Sequence, residues 1–233
     1  MLPRILGGQH WKKAAQESFA GQGSYGNGGA MRVAPVGAYF ADNLELAAEQ
    51  ARLSAEITHA HPEGIAGAIA VAVAAAYAWR LDGPKPTRQQ WIDLILPHIP
   101  ISEVRSGIEN ARNLPSDLPV WPDVVGKIGN GSGISAQDTV PFVLWCAGER
   151  LDNYQEAIWL TASGGGRCGY YLRDGRRHCR VVWWRGRHPD RVDSPPRTPA
   201  GMGVGAGLKF QSGRQRPQLG ARPANNWRAV TEA

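Results

Sequence analysis

Cysteine is scarce in this 233-residue chain: it has only Cys146, Cys168 and Cys179. An odd count of three gives no disulfide framework, which excludes the small secreted scaffolds that depend on one and suits a reducing compartment. No segment alternates apolar and polar residues with period two over strand length, so a β-sandwich or barrel has no support. No basic stretch leading into an apolar h-region opens the chain, and the expected location is cytoplasmic. Negative charge is lacking at one end only. Residues 167–233 hold 13 Arg and one Lys against four acids, a net +10, while residues 1–166 carry −4 within an overall +6. An acidic body with a basic tail is one reading, and such tails often bind nucleic acid.

What is present is helical period. Residues 43–58 place Leu44, Ala47, Ala48, Ala51, Ala55 and Thr58 on one stripe at spacings of three and four, behind Asn43 as N-cap. Residues 30–41 read as a short helix with Pro35 near its first turn, where a missing N–H matters less. Residues 63–80 are apolar around almost the whole circumference. Their length approaches the ~20 residues of a membrane span. Alanine rather than leucine dominates, however, and small side chains let neighbours pack closely on all sides. The expectation is therefore a central core helix and no membrane partner. Further helices are expected over 87–96, 101–113, 136–149 and 153–162, separated by turns rich in Gly, Pro and Asn. The fold class is all-α, a compact multi-helix domain over residues 1–166. Residues 167–233, crowded with Arg, Gly and Pro and without period, cannot bury enough apolar surface to offset their ordering entropy. They are expected to be a disordered tail.

The most informative stretch is Gly23-Ser24-Tyr25-Gly26-Asn27-Gly28-Gly29-Ala30-Met31-Arg32, with Thr58-His59-Ala60-His61-Pro62 downstream. A glycine-rich loop that leads into a helix offers backbone N–H groups to an anion. The string GSYGNGGAMRVAPVGAYF, with SAEITHAHPEGIAGAIAVAVAAA after it, closely resembles the ADP-ribosylglycohydrolase family. So does IGNGSGISAQDTVPFVLWCAGERLDNYQEAIWLTASGGG, and the resemblance covers roughly Trp11 to Gly166.

The resemblance implies an all-helical, magnesium-dependent hydrolase that cleaves the glycosidic bond between ADP-ribose and an acceptor. ADP-ribose or an ADP-ribosylated substrate is then the expected partner, with nucleic acid the lesser candidate. It implies that Ser24, Tyr25, Gly26 and Asn27 form the ADP-ribose loop and that His59 approaches the phosphates. Tyr25 would pack on a ribose or base face. Magnesium needs oxygen-rich ligands, and the family holds it with two acidic motifs. The chain begins too late for the first, which precedes the glycine loop. The second, Asp-x-Asp-Thr, should follow Gly166, where Arg167-Cys168-Gly169-Tyr170-Tyr171 stands instead. Neither a catalytic residue nor a metal ligand is therefore assigned.

Asp138-Thr139 is not a substitute; it reads as N-capping or packing at a helix start. His61 and Glu63 read as helix-start chemistry, with Glu63 facing the cleft as the alternative. Trp145 and Trp159 read as core residues. Moved by one base, permitted codons for GRCGYYLRDGRRHCR yield GDVDTTCAMVGGIVA. In the same frame RHPDRVDSPPRTPA yields GIPTGWTRRREPLP. Both strings resemble the family at those places, so a shifted reading frame is expected to have produced the tail. The expected function is accordingly a family hydrolase that is inactive as written. An ADP-ribose-binding pseudoenzyme and nucleic-acid binding through the tail are the alternatives.

Overall fold

A single alanine-rich helix organises the molecule. In the computed structural model, which describes residues 1–81 and 83–166, α5 (Pro62–Arg80) has every residue from Ala66 to Ala76 buried. Its first turn is set by Pro62, whose missing N–H costs nothing there, and by His61, whose ring accepts from Glu63 N. The helix is long and apolar enough to cross a membrane, yet other helices surround it. They are α3 (Ala34–Tyr39), α4 (Leu44–Glu56) and α9 (Ala136–Glu149), with α6 (Arg88–Ile95) and α7 (Glu103–Asn113) packed against both α5 and α9. The described residues hold ten α-helices and no strand. The remaining ones are α1 (Leu2–Leu6), α2 (Trp11–Gln16), α8 (Val125–Ile128) and α10 (Tyr154–Ser163). The all-α expectation and the buried central helix both hold.

Caps fix the boundaries. Asn43 accepts from Leu46 N at the start of α4, and Thr87 forms a reciprocal capping box with Gln90 at the start of α6. Ser102, Ser135 and Asn153 cap α7, α9 and α10 in the same way. Buried Arg88 ties three helices together. It pairs with Glu149, donates to the Leu114 carbonyl and lies over the Trp145 ring, 5.8 Å from its centroid.

Two expectations need correction. The helix read over 30–41 is divided into a 3-10 turn, Ala30–Arg32, and α3. Pro35 has no N–H to continue the preceding turn and stands in the first turn of α3, where that loss costs nothing, so the helix restarts there. Trp159 is not a core residue. It is 67% exposed, while Trp145 is 2% exposed. On α10 the buried stripe is carried by Ala157 and Thr161, four apart, and Trp159 lies off it. The tail expected over 167–233 lies outside the described residues.

Close approach of α3 to α5 depends on Gly37. A Cβ built there would overlap the Ala72 carbonyl and backbone. An exposed helical glycine gains up to ~1 kcal/mol on replacement by alanine. At this site the sign reverses. Gly37→Ala forces the helices apart and is expected to cost about 1–3 kcal/mol, as overpacking does. A chemical denaturation midpoint at or above wild type would refute this.

Candidate functional site

Two glycine-rich loops meet at the N-terminus of α9. The first, Gly23–Gly29, pairs with the second, Gly129–Ser135, through an antiparallel bridge between Gly26 and Ser135. Asn27 N donates to Ile134 O at 3.0 Å and Ala136 N donates to Tyr25 O at 2.9 Å. Side chains of α9 lock both loops. Asn27 Nδ2 donates to Thr139 Oγ1 at 2.9 Å. Asp138 accepts from Asn130 N at 3.2 Å and from Gly133 N at 2.6 Å, one carboxylate oxygen each. Gly129 and Gly131, with φ of +82° and +83°, make the turn that presents those amides. Asp138-Thr139 thus has the packing role expected of it, while Ser135 supplies the N-cap.

The first loop folds over His59. Ser24 Oγ accepts from Gly26 N at 3.2 Å, and Ser24 O accepts from His61 N at 3.4 Å. A Cβ on Gly28 would lie 2.8 Å from His59 Nε2 and Cε1, and one on Gly26 would lie 3.4 Å from Nε2. Only bare backbone fits against that ring edge. Tyr25 is 46% exposed, and its ring stands edge-on to His61, centroids 5.5 Å apart. The N–H groups of Gly28 and Gly29 have no acceptor among the described residues. They stand just before the Ala30–Arg32 turn. Ser24 is thus bonded to Gly26, the bare backbone of Gly26 and Gly28 lies against the His59 ring, and Tyr25 and Asn27 hold the same loop to α9 and its preceding loop.

The surroundings of His59 disfavour its charged form. Burial lowers its pKa from the ordinary value near 6.5, and the neighbouring Arg32 charge lowers it further. His59 Nδ1 lies 2.8 Å from Thr58 Oγ1, which in turn accepts from Arg32 Nη2 at 2.7 Å.

Among known proteins, the sequence profile of the ADP-ribosylglycohydrolase family matches residues 4–169. The chain belongs to this family. Its relatives include human ADP-ribosylhydrolase ARH3, 32% identical over 149 residues, covering 57% of this chain and 40% of the human protein. The chicken ADP-ribosylhydrolase ARH3 is 34% identical over 181 residues, covering 65% and 48%. A protein of Archaeoglobus fulgidus is 40% identical over 169 residues, covering 71% and 50%. The chain spans about 40–50% of the length of these relatives.

The resemblance within the ADP-ribosylglycohydrolase family raises the question of magnesium. Among the described residues no three His, Cys, Asp or Glu side chains converge to hold a metal ion. Asp138 beside the second loop and Glu63 in the first turn of α5 are already engaged. Asp138 takes the two loop amides, and Glu63 accepts from Glu103 N at 2.8 Å and Val104 N at 2.9 Å, capping α7. These residues do not fit a magnesium site. His61 performs the local helix-start chemistry expected of it, whereas the reading of Glu63 is corrected: its carboxylate caps a helix forty residues away. Nothing in its sequence neighbourhood signals that role, and the same holds for the Arg32–Thr58–His59 chain.

Proposed function

We propose that this chain carries the ADP-ribose-binding part of an ADP-ribosylglycohydrolase and, as written, hydrolyses little or none. The observation that carries the reading is the loop built over His59, where the Gly28 and Gly29 amides have no acceptor among the described residues. Loop amides ahead of a helical turn suit the pyrophosphate oxygens of ADP-ribose. The exposed face of Tyr25 suits a ribose or base. The names of the ARH3 relatives, ADP-ribosylhydrolases, support the same ligand class, ADP-ribose or an ADP-ribosylated substrate. Magnesium is the cofactor expected from the family, and the described residues supply no ligand set for it. A cytoplasmic location goes with this reading. From Arg167 onward we attribute the sequence to a one-base displacement of the reading frame. The family match ending at residue 169 supports that attribution.

The binding test is calorimetry with ADP-ribose on the 233-residue chain. Weak binding is expected, falling roughly ten- to thirtyfold in a Ser24→Ala/Asn27→Ala variant. Ser24 supports Gly26 N and Asn27 ties the loop to Thr139, each worth about 1 kcal/mol. Identical heats for the two proteins would count against the assignment.

A further inference from the structure

Behind the glycine loop runs a chain of three polar side chains from two segments of the sequence. Arg32 follows the loop, Thr58 lies just beyond α4, and His59 follows Thr58. Arg32 Nη2 donates to Thr58 Oγ1 at 2.7 Å; the guanidinium also donates to the Ser54 carbonyl and, from Nε, to Ser54 Oγ at 3.4 Å. Thr58 Oγ1 lies 2.8 Å from His59 Nδ1.

Among the described residues His59 Nδ1 is the acceptor in reach of the Thr58 hydroxyl proton, which favours one direction for that last bond. A guanidinium has donors only, so Thr58 Oγ1 must accept from Arg32. Thr58 keeps one proton, and Nδ1 of His59 is in reach to accept it. With Nδ1 as acceptor, a neutral imidazole carries its proton on Nε2, the nitrogen that lies against Gly26 and Gly28.

We propose that Arg32 and Thr58 are positioning residues that hold His59 as the neutral Nε2–H tautomer, so that a ring donor joins the loop amides facing a phosphate oxygen. The proposal rests on the ADP-ribose reading for the ligand, but not for the tautomer. The competing account is purely structural: Arg32 only secures the last turn of α4 through the Ser54 carbonyl. Replacing Thr58 by valine leaves that carbonyl contact in place and removes only the relay.

The experiment is long-range 1H–15N NMR of the histidine rings in the labelled 233-residue chain at neutral pH, paired with titration by ADP-ribose. In wild type the Nε2–H tautomer of His59 is expected; the Nδ1–H tautomer overturns the proposal with no variant needed. Thr58→Val is expected to lose the tautomer preference and about tenfold in affinity, since one hydrogen bond to a charged group is at stake. Thr58→Ser, which keeps the hydroxyl, is expected to retain both. A Thr58→Val protein with wild-type ring shifts, or with altered shifts and unchanged affinity, overturns the proposal. If Thr58→Val does not fold, Arg32→Gln takes its place under the same two outcomes. Absence of ADP-ribose binding by wild type defeats the ligand reading alone, and the tautomer of His59 still decides this one.

Discussion

Purified 233-residue chain, offered an ADP-ribosylated peptide, is expected to release no ADP-ribose above background, with or without added magnesium. Metal-assisted hydrolysis needs carboxylates placed to hold the ion and orient water. No such grouping exists among the described residues. Asp138, beside the second loop, and Glu63, in the first turn of α5, each hold a pair of backbone amides. Withdrawing either one to hold a metal would uncap α7 or release the Gly129–Ser135 loop. Beyond Gly166, where the family resemblance implies Asp-x-Asp-Thr, stand Arg167 and Cys168. Loss of metal positioning removes several kcal/mol of transition-state stabilisation, on the order of 10³-fold in rate or more. Robust magnesium-dependent release by this chain would overturn the proposal. Binding without turnover, the calorimetric expectation, would support it.

Local chemistry made much of this architecture legible. Asn43 and Ser135 are strong caps followed by apolar period, so α4 begins as expected and α9 spans 136–149 as read. The alanine run of α5 has one stable placement for a helix apolar on every side, the centre. The short N-terminal helices, Leu2–Leu6 and Trp11–Gln16, were not legible because each is too brief to show a period. Trp159 was misread because its neighbours Ile158 and Leu160 are also apolar. Successive residues sit ~100° apart on a helix, so three in a row cannot all face one partner.

The loop's identity was readable from its glycines and from the family resemblance. Its supports were not. Asn27 and Thr139 are 112 residues apart, and Arg32 and Thr58 are 26 apart. Contacts of that kind arise only when the helices have packed, and they leave no periodic mark on either partner.

Restoring the reading frame by one base at codon 166 or 167 is expected to change both stability and activity. Three observations lead there. Helical period stops after Gly166, the charge changes from −4 to +10 across that point, and the shifted frame recovers two family-like strings in the right order. The structure refines where a restored segment would matter. The apolar side chains of α9 are already enclosed, with Val140, Phe142, Leu144 and Trp145 all 2% exposed or less. Near the end of the described chain, open apolar surface remains on α10, at Trp159. Gly166 ends the described chain tight against Asn130, where a Cβ would strike the Asn130 carbonyl and side chain. A chain leaving that point therefore starts beside the two loops. Covering Trp159 is worth about 3 kcal/mol, which for a domain of this size raises Tm by roughly 5–10 °C. An Asp-x-Asp-Thr sequence directly after Gly166 would also bring carboxylates to the Gly129–Ser135 loop, where Asp138 is already engaged by two backbone amides. The restored protein is expected to gain both the thermal shift and magnesium-dependent release of ADP-ribose. Sequencing the genomic DNA across codons 160–200 shows whether the displacement lies in the gene. If the restored protein gains neither stability nor activity, the displaced-frame account fails. Residues 167–233 must then be treated as a genuine basic element, with nucleic acid the first partner to test through the salt dependence of its binding.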